Sequence, residues 1–412
     1  MSNQKRARTL LWIGLVSVFF VFRGVSSFGA AEADEWDDIV SKAKGQTVDW
    51  FMWGGSPAVN AYVNGFVASH LKEQYDVTLR QVPVTDIAEV ISKLVVEKQA
   101  GKHDGGEADL LWINGENFRT AKRNGLLYGP FAQLLPNQRF VNWARASVRN
   151  DFGEPVGGLE SPYGSAQVVL VYDTARMSEP PATIGALLEW IRRHPGRFAY
   201  PAPPDFTGSV FVRHVFYHAA GDVETWQVNF DEKHFEEVAA TTYQMLRDLA
   251  QYLWRQGRTY PESPVRLAQL FADGEVDFAI NYSPADASKK IHDGLYPDTV
   301  RTYVFEEGTI ANTHFVAIPF NASDKEGAMV AANLLLSAEA QYQKADPSVW
   351  GDLPAIDLSR LDEGWREKFA KLERGVATLS DEELQAHQLP ELPSEILVRL
   401  EKGWVKHVLK GQ

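Results

Sequence analysis

The chain has 412 residues, 45% of them hydrophobic and 12% aromatic, with no cysteine and with 41 basic against 54 acidic side chains, a formal net charge of −13. The acidic excess argues against nucleic acid or an anionic membrane surface as partner. The lack of cysteine excludes disulfides, thiol catalysis, thiolate metal sites and a lipid-modified N-terminal cysteine.

Residues 1–31 read as a secretory signal peptide: Lys5, Arg6 and Arg8 precede the apolar run Leu10 to Phe22, and Gly29-Ala30-Ala31 offers a small-residue cleavage site. The alternative, a membrane anchor, needs roughly 20 apolar residues to span, which this run does not reach. Removing the leader takes away four cations (with Arg23) and no acid, so the charge goes from −13 to −17. The mature protein is expected free in an oxidising compartment such as a periplasm.

After a short helix near Glu35 to Lys44, Val48 to Trp53 reads as a buried strand that stops at Gly54-Gly55-Ser56-Pro57. A helix follows with Val59, Tyr62, Val63, Phe66 and Leu71 at helical spacing, Ser56 at the cap and Pro57 at the first helical position. Val77 to Val82 is the next strand, followed by a helix with the stripe Ile87, Val90, Ile91, Leu94. Leu110 to Ile113 is a third strand, leaving through Asn114-Gly115-Glu116-Asn117. Strands joined by helices call for a mostly parallel sheet with right-handed crossovers.

A second α/β series starts near residue 158, with strands at Gln167 to Tyr172, Phe198 to Pro201 and Val276 to Ile280, the last leaving through Asn281-Tyr282-Ser283-Pro284. Asp205-Phe206-Thr207-Gly208-Ser209 opens an apolar helix from Val210 to His218. Thr299 to Phe305 and His314 to Ile318 are further strands, and Ser323 to Glu326 is a capping box. The pattern predicts a two-lobed α/β protein. Residues 34–157 plus 286–345 form the first lobe and 158–285 the second, and 346–412 is a helical region packing on both. Crossings are expected near 157–163 and 282–308.

Three loops share one design, in which a strand or turn exposes backbone amides, a hydroxyl follows and a helix begins: Gly55-Ser56, Gly208-Ser209 and Tyr282-Ser283. Such loops offer donors and partial positive charge to a polar guest, although each hydroxyl also suits plain helix capping. Asn114 and Glu116 put an amide and a carboxylate at a strand end. Trp50, Trp53, Trp112, Tyr163, Tyr282 and Trp350 lie at or near strand exits, where flat side chains stack on rings or cations. The sequence carries no G-x-S-x-G, H-E-x-x-H, Walker or G-x-G-x-x-G motif in the required context. His214 and His218 stand four apart but lack an indicated third ligand, and read as core or surface histidines. No metal or cofactor is expected. A carbohydrate hydrolase stays open as an alternative, because carboxylates are too numerous for a pair to be singled out.

Leu111 to Phe118, Gly125-Leu126-Leu127-Tyr128-Gly129-Pro130, Phe206 to Ser209, Ala338-Glu339-Ala340-Gln341 and Trp350-Gly351-Asp352 together resemble bacterial extracellular solute-binding proteins of ABC importers. The resemblance is to the YnjB-type branch, related to thiamine-, iron- and polyamine-binding proteins. It implies a type II periplasmic-binding fold, a small-molecule ligand, no enzymatic activity, and a membrane permease with its ATPase as partners of a monomer. Carried onto this sequence, it places Gly55, Ser56, Asn114 and Glu116 in the cleft from one side. Tyr163, Ser165, Ser209, Tyr282 and Ser283 complete it. The adjacent tyrosines of the iron-binding relatives do not occur here. Docking to a chemoreceptor instead of a permease is a further alternative.

Overall fold

The computed structural model describes residues 35–228 and 230–410; the expected leader lies outside them. In chain order, β1 (Thr47–Trp53) leads to α1 (Pro57–Tyr62), capped by Ser56, whose hydroxyl accepts from the Val59 amide at 3.4 Å. β2 (Thr78–Val84), α2 (Ala88–Gln99), β3 (Leu110–Ile113) and α3 (Gly115–Arg123) repeat that unit. A hairpin of β4 (Asn150–Asp151) and β5 (Glu154–Pro155) precedes β6 (Glu160–Gln167) and β7 (Val169–Asp173). Next come α4 (Ile184–Arg193), α5 (Phe206–Ala220) and α6 (Glu232–Ala250), then β8 (Ala279–Asn281), β9 (Val300–Tyr303) and β10 (Thr309–Ala317). The chain finishes through α7 (Lys325–Leu335), α8 (Ala338–Ala345), β11 (Gln388–Leu389) and α9 (Ser394–Trp404).

The first sheet is ordered β11-β10-β3-β1-β2, with β6 on the other flank of β10; the second is β8-β7-β9. The two-lobed α/β architecture is as expected, but where mostly parallel sheets were predicted the first is mixed and the second antiparallel. β1 pairs in parallel with β2 and β3, the strands joined by helical crossovers. β10 returns antiparallel to β3 and β6, and both pairs of the second sheet are antiparallel.

Alternation in β1 buries Val48, Trp50 and Met52 on one face, against Val67, Leu71 and Val330. The opposite face packs Leu111, Ile113 and Phe315 against Ile91, Leu94 and Phe118. The second core gathers Leu170, Leu188, Phe216, Leu246 and Phe271 with Ile396, Leu400 and Trp404 of α9. The last 60 or so residues therefore divide between the lobes, since Trp350, Ile356 and Phe369 belong to the first core.

Three readings are corrected by the strand pairing. Residues 286–303, assigned above to the first lobe, go with the second, because Val300–Tyr303 pairs with Val169–Asp173 and the return to the first sheet waits for β10. The outward crossing falls at Val168, whose amide donates to Ile310 at 2.9 Å, rather than at 157–163, where β6 is starting. Phe198 to Pro201 is not a strand; Phe198 and Tyr200 are buried there in loop backbone.

Candidate functional site

The parallel β1, β2 and β3 send their exits to one edge of the first sheet, which puts Gly55-Ser56, Asp86 and Asn114-Glu116 in a row. β10 and β6 extend that row, with Thr313 opposite Ser165. β8 runs antiparallel to β7 with Asn281 opposite Val169, so Tyr282 and Ser283 emerge at the end of the second sheet nearest the first. Ser209 lies in the first turn of α5. There Phe206 packs on Tyr282 with centroids 4.8 Å apart and on Phe152, from the β4–β5 turn of the first lobe, at 6.0 Å.

The helix-opening amides are already partnered. Asp205 Oδ1 accepts from Thr207 and Gly208 amides at 3.0 and 2.9 Å. Gly208 is needed because a Cβ would overlap the Pro201 carbonyl. At α3, Asp151 of the hairpin accepts from the Gly115 amide at 2.7 Å, while Asn114 accepts from Trp112 Nε1 at 3.2 Å and donates to the Thr313 carbonyl at 2.6 Å. Burial raises the Asp151 carboxyl well above the usual range.

Of the nine residues named from sequence, six fall into three groups, while Gly55, Ser56 and Asn114 stay at the exits of β1 and β3. Tyr163, Ser165 and Ser283 gather around the 350–353 loop: the Ser165 amide donates to Leu353 O at 2.9 Å, and Ser283 Oγ to Gly351 O at 3.4 Å. The Tyr163 ring is fully buried among Trp50, Trp112, His314 and Trp350, at centroid distances of 5.5 to 6.5 Å. The cation in this aromatic box is the protein's own. Lys344 Nζ sits 5.9 Å from the Tyr163 centroid and 5.4 Å from that of Trp350, and donates to Asp352 at 2.7 Å. Burial pushes the Asp352 carboxyl up, but Lys344 and His314 outweigh it and hold it below its ordinary value.

Tyr282 belongs to a second group, at the junction of the lobes. Arg213 of α5 is fully buried and ion-paired with Glu391. Glu391 also accepts from Tyr282 at 3.1 Å and from Asn312 of β10 at 2.9 Å. Burial works against the Arg213 charge; the adjacent Glu391 more than restores it.

Glu116 faces a third region, between α3 of the first lobe and α9 of the second, and Ser209 is buried against α9. A groove of about 410 Å³ lies along these two helices, lined by Glu116, Arg119 and Arg123 on one wall and Glu395, Arg399 and Lys402 on the other. Glu401 of α9 bonds Ser209; burial, with the charges of Glu116 and Asp86 added, pushes its carboxyl up to about 7. Burial likewise raises Glu116. Gly55 and Ser56 are at the same sheet edge, and Ser56 is engaged in capping α1.

Asp86, Arg213, Glu391, Glu401 and Lys402 were not singled out from sequence. One signal was visible: Arg213, with His214 beside it, interrupts the otherwise apolar run Val210 to Tyr217, and a charge there needs a partner. His214 is a core residue. Its Nδ1 lies 2.8 Å from Val210 O, and Nε2 accepts from the Ile310 amide at 3.1 Å; His218 is exposed. Among the described residues no helix is long and apolar enough to cross a membrane.

Residues 66–371 match the family model described as bacterial extracellular solute-binding protein. The chain is 38% identical over 393 residues to protein YnjB of Escherichia coli (strain K12), covering 95% of each. Among solved structures, a substrate-binding protein of an ABC transporter from Bradyrhizobium japonicum superposes with a TM-score of 0.63 at 16% identity, covering 88% of this chain and 99% of that one. A periplasmic thiamin binding protein gives 0.60 at 18% identity, covering 88% and 96%.

Proposed function

Because the chain belongs to the bacterial extracellular solute-binding protein family, whose members are binders and not enzymes, we propose that it is the periplasmic solute-capturing component of an ABC importer. In this reading residues 1–31 are cleaved on export, and the mature monomer carries a small polar molecule to a permease and its ATPase. The solute enters between the lobes and draws them together.

The observation that supports this most is the groove itself. One wall is a helix packed on the first sheet and the other a helix of the second core, and of the residues named from sequence Glu116 lines it. A ligand shifts a two-state equilibrium only through contacts that differ between the states, and a guest touching both walls meets that condition. The crossings at Val168 and between Tyr303 and Thr309 are the natural hinge strands. Gly55, Ser56, Asn114, Tyr163, Ser165 and Ser283 then form the frame that holds the cleft's edges.

Native mass spectrometry of the freshly purified mature protein tests the reading, with small-angle scattering before and after the bound solute is stripped. The expected result is a copurified small molecule and a more compact particle when it is present. A protein with no retained guest and an unchanged scattering profile across a solute panel overturns it.

A further inference from the structure

The groove between α3 and α9 has an uneven charge. Four cations and two carboxylates line it, in a chain whose formal charge is −13. The cations recur along each helix at spacings that keep them on one face, Arg119 and Arg123 on α3, Arg399 and Lys402 on α9. Two helices buried against each other would normally bring apolar faces together here. These present charge instead, and meet through the Arg119–Glu395 ion pair at 2.8 Å with the groove open beside it.

The donors on these walls exceed the acceptors. Glu395 is shared by two guanidiniums, Arg119 at 2.8 Å and Arg399 at 3.5 Å, and Arg399 reaches out of the groove to Glu232 as well. Arg123 has only a loose 3.5 Å contact with Glu154, a carboxylate that Lys122 already holds at 2.9 Å. Lys402 has no ion-pair partner among the described residues. An arginine offers five N–H donors in a fork that matches a carboxylate or phosphate, so most of this capacity is unspent.

We propose that this groove takes the anionic group of the solute, a carboxylate or a phosphate, between Arg123 of the first lobe and Lys402 of the second. The inference rests on the solute-binding reading above and narrows it to a chemical class. An anion here bridges the lobes, and it competes with Glu395 for Arg119 and Arg399. Glu395 is thus the groove's resident substitute, and removing its charge favours the guest.

The test is isothermal titration of the full mature chain with inorganic phosphate and with succinate, which separate the two anion sources, and with putrescine as a cationic control. One anion is expected to bind, less tightly as salt rises from about 50 to about 200 mM. The Arg123→Glu, Lys402→Glu double variant should weaken it by about 10-fold or more, Lys402→Arg should keep it, and Glu395→Gln should tighten it. Both reversed residues are exposed, and an unchanged circular dichroism spectrum checks that the fold is intact. Failure of both anions to bind, or binding indifferent to the double reversal, overturns the proposal. If a copurified neutral or cationic solute still binds the double variant with unchanged affinity, the anion assignment falls while the solute-binding reading stands.

Discussion

Of the places that set a cation against a carboxylate beside the lobe boundary, the Lys344–Asp352 box and the α3–α9 groove have opposite characters. Lys344 and Asp352 are 0% and 1% exposed, enclosed by Tyr163, Trp112 and Trp350, and Lys344 donates a second bond to Leu353 O at 3.0 Å. Arg119 and Glu395 are 23% and 44% exposed, at the side of the open groove, and share their charges with neighbours. The first pair is a host–guest complex whose guest is tethered by the chain, so it is scaffold. The second leaves donors over, so it has capacity for a guest. The difference is solvent access, because the same pair costs several kcal/mol to break once water is excluded and little where water remains.

That contrast can be broken by experiment, and the largest expected effect is in the box. Lys344→Met leaves the buried Asp352 with His314, at 3.3 Å, as its remaining charged partner and should cost about 3–5 kcal/mol in urea unfolding. Adding Asp352→Leu should recover most of it; a double variant as unstable as the single one would show that packing, not charge, holds the loop. Gly164→Ala comes next. A Cβ there would overlap Asp352 and lie 2.6 Å from Lys344 Nζ, so a loss of about 1–3 kcal/mol is expected. In the groove, Lys402→Glu should change stability by no more than about 0.5 kcal/mol in the same assay. A large loss there would mean that the groove is scaffold too.

Two titrations sharpen the comparison. Burial lowers His214 to about 4, so the folded state keeps it neutral while the unfolded chain binds a proton near 6.5. Its contribution is present above that range and is lost as pH falls from about 6.5 to about 4. Glu401 has the opposite sign. Its folded value of about 7 lies above the ordinary 4.5, so stability is lost as pH rises through that window. The melting temperature of Glu401→Gln minus that of the wild type should therefore grow between about pH 4.5 and 7, and an anion held in the groove beside it should bind better at the lower pH.

The strands of the first series were readable because they are short, apolar and punctuated by Gly and Pro, and Ser56 caps where its position says, at 3.4 Å. β6 was not readable. Its Glu160-Ser161-Pro162-Tyr163-Gly164 looks like a turn, and it becomes a strand because β10 pairs with it, with a bulge between His314 and Phe315 that admits Pro162. The site was legible on one side only. The exit of β3 announces Glu116, whereas the facing wall comes from α9, more than 100 residues away in the chain.

Composition and local pattern determined the two α/β lobes and the placement of most strands and helices, since these depend on periodicity and short-range capping, while the solute-binding family came from the resemblance of segments such as Leu111 to Phe118 and Phe206 to Ser209. Which carboxylate meets which cation was decided by the tertiary structure alone. Glu391 reaches Arg213 across 178 residues and Glu395 reaches Arg119 across 276. Sequence spacing carries no information about such pairs, because side-chain charge acts through space and only the packed lobes set the distance.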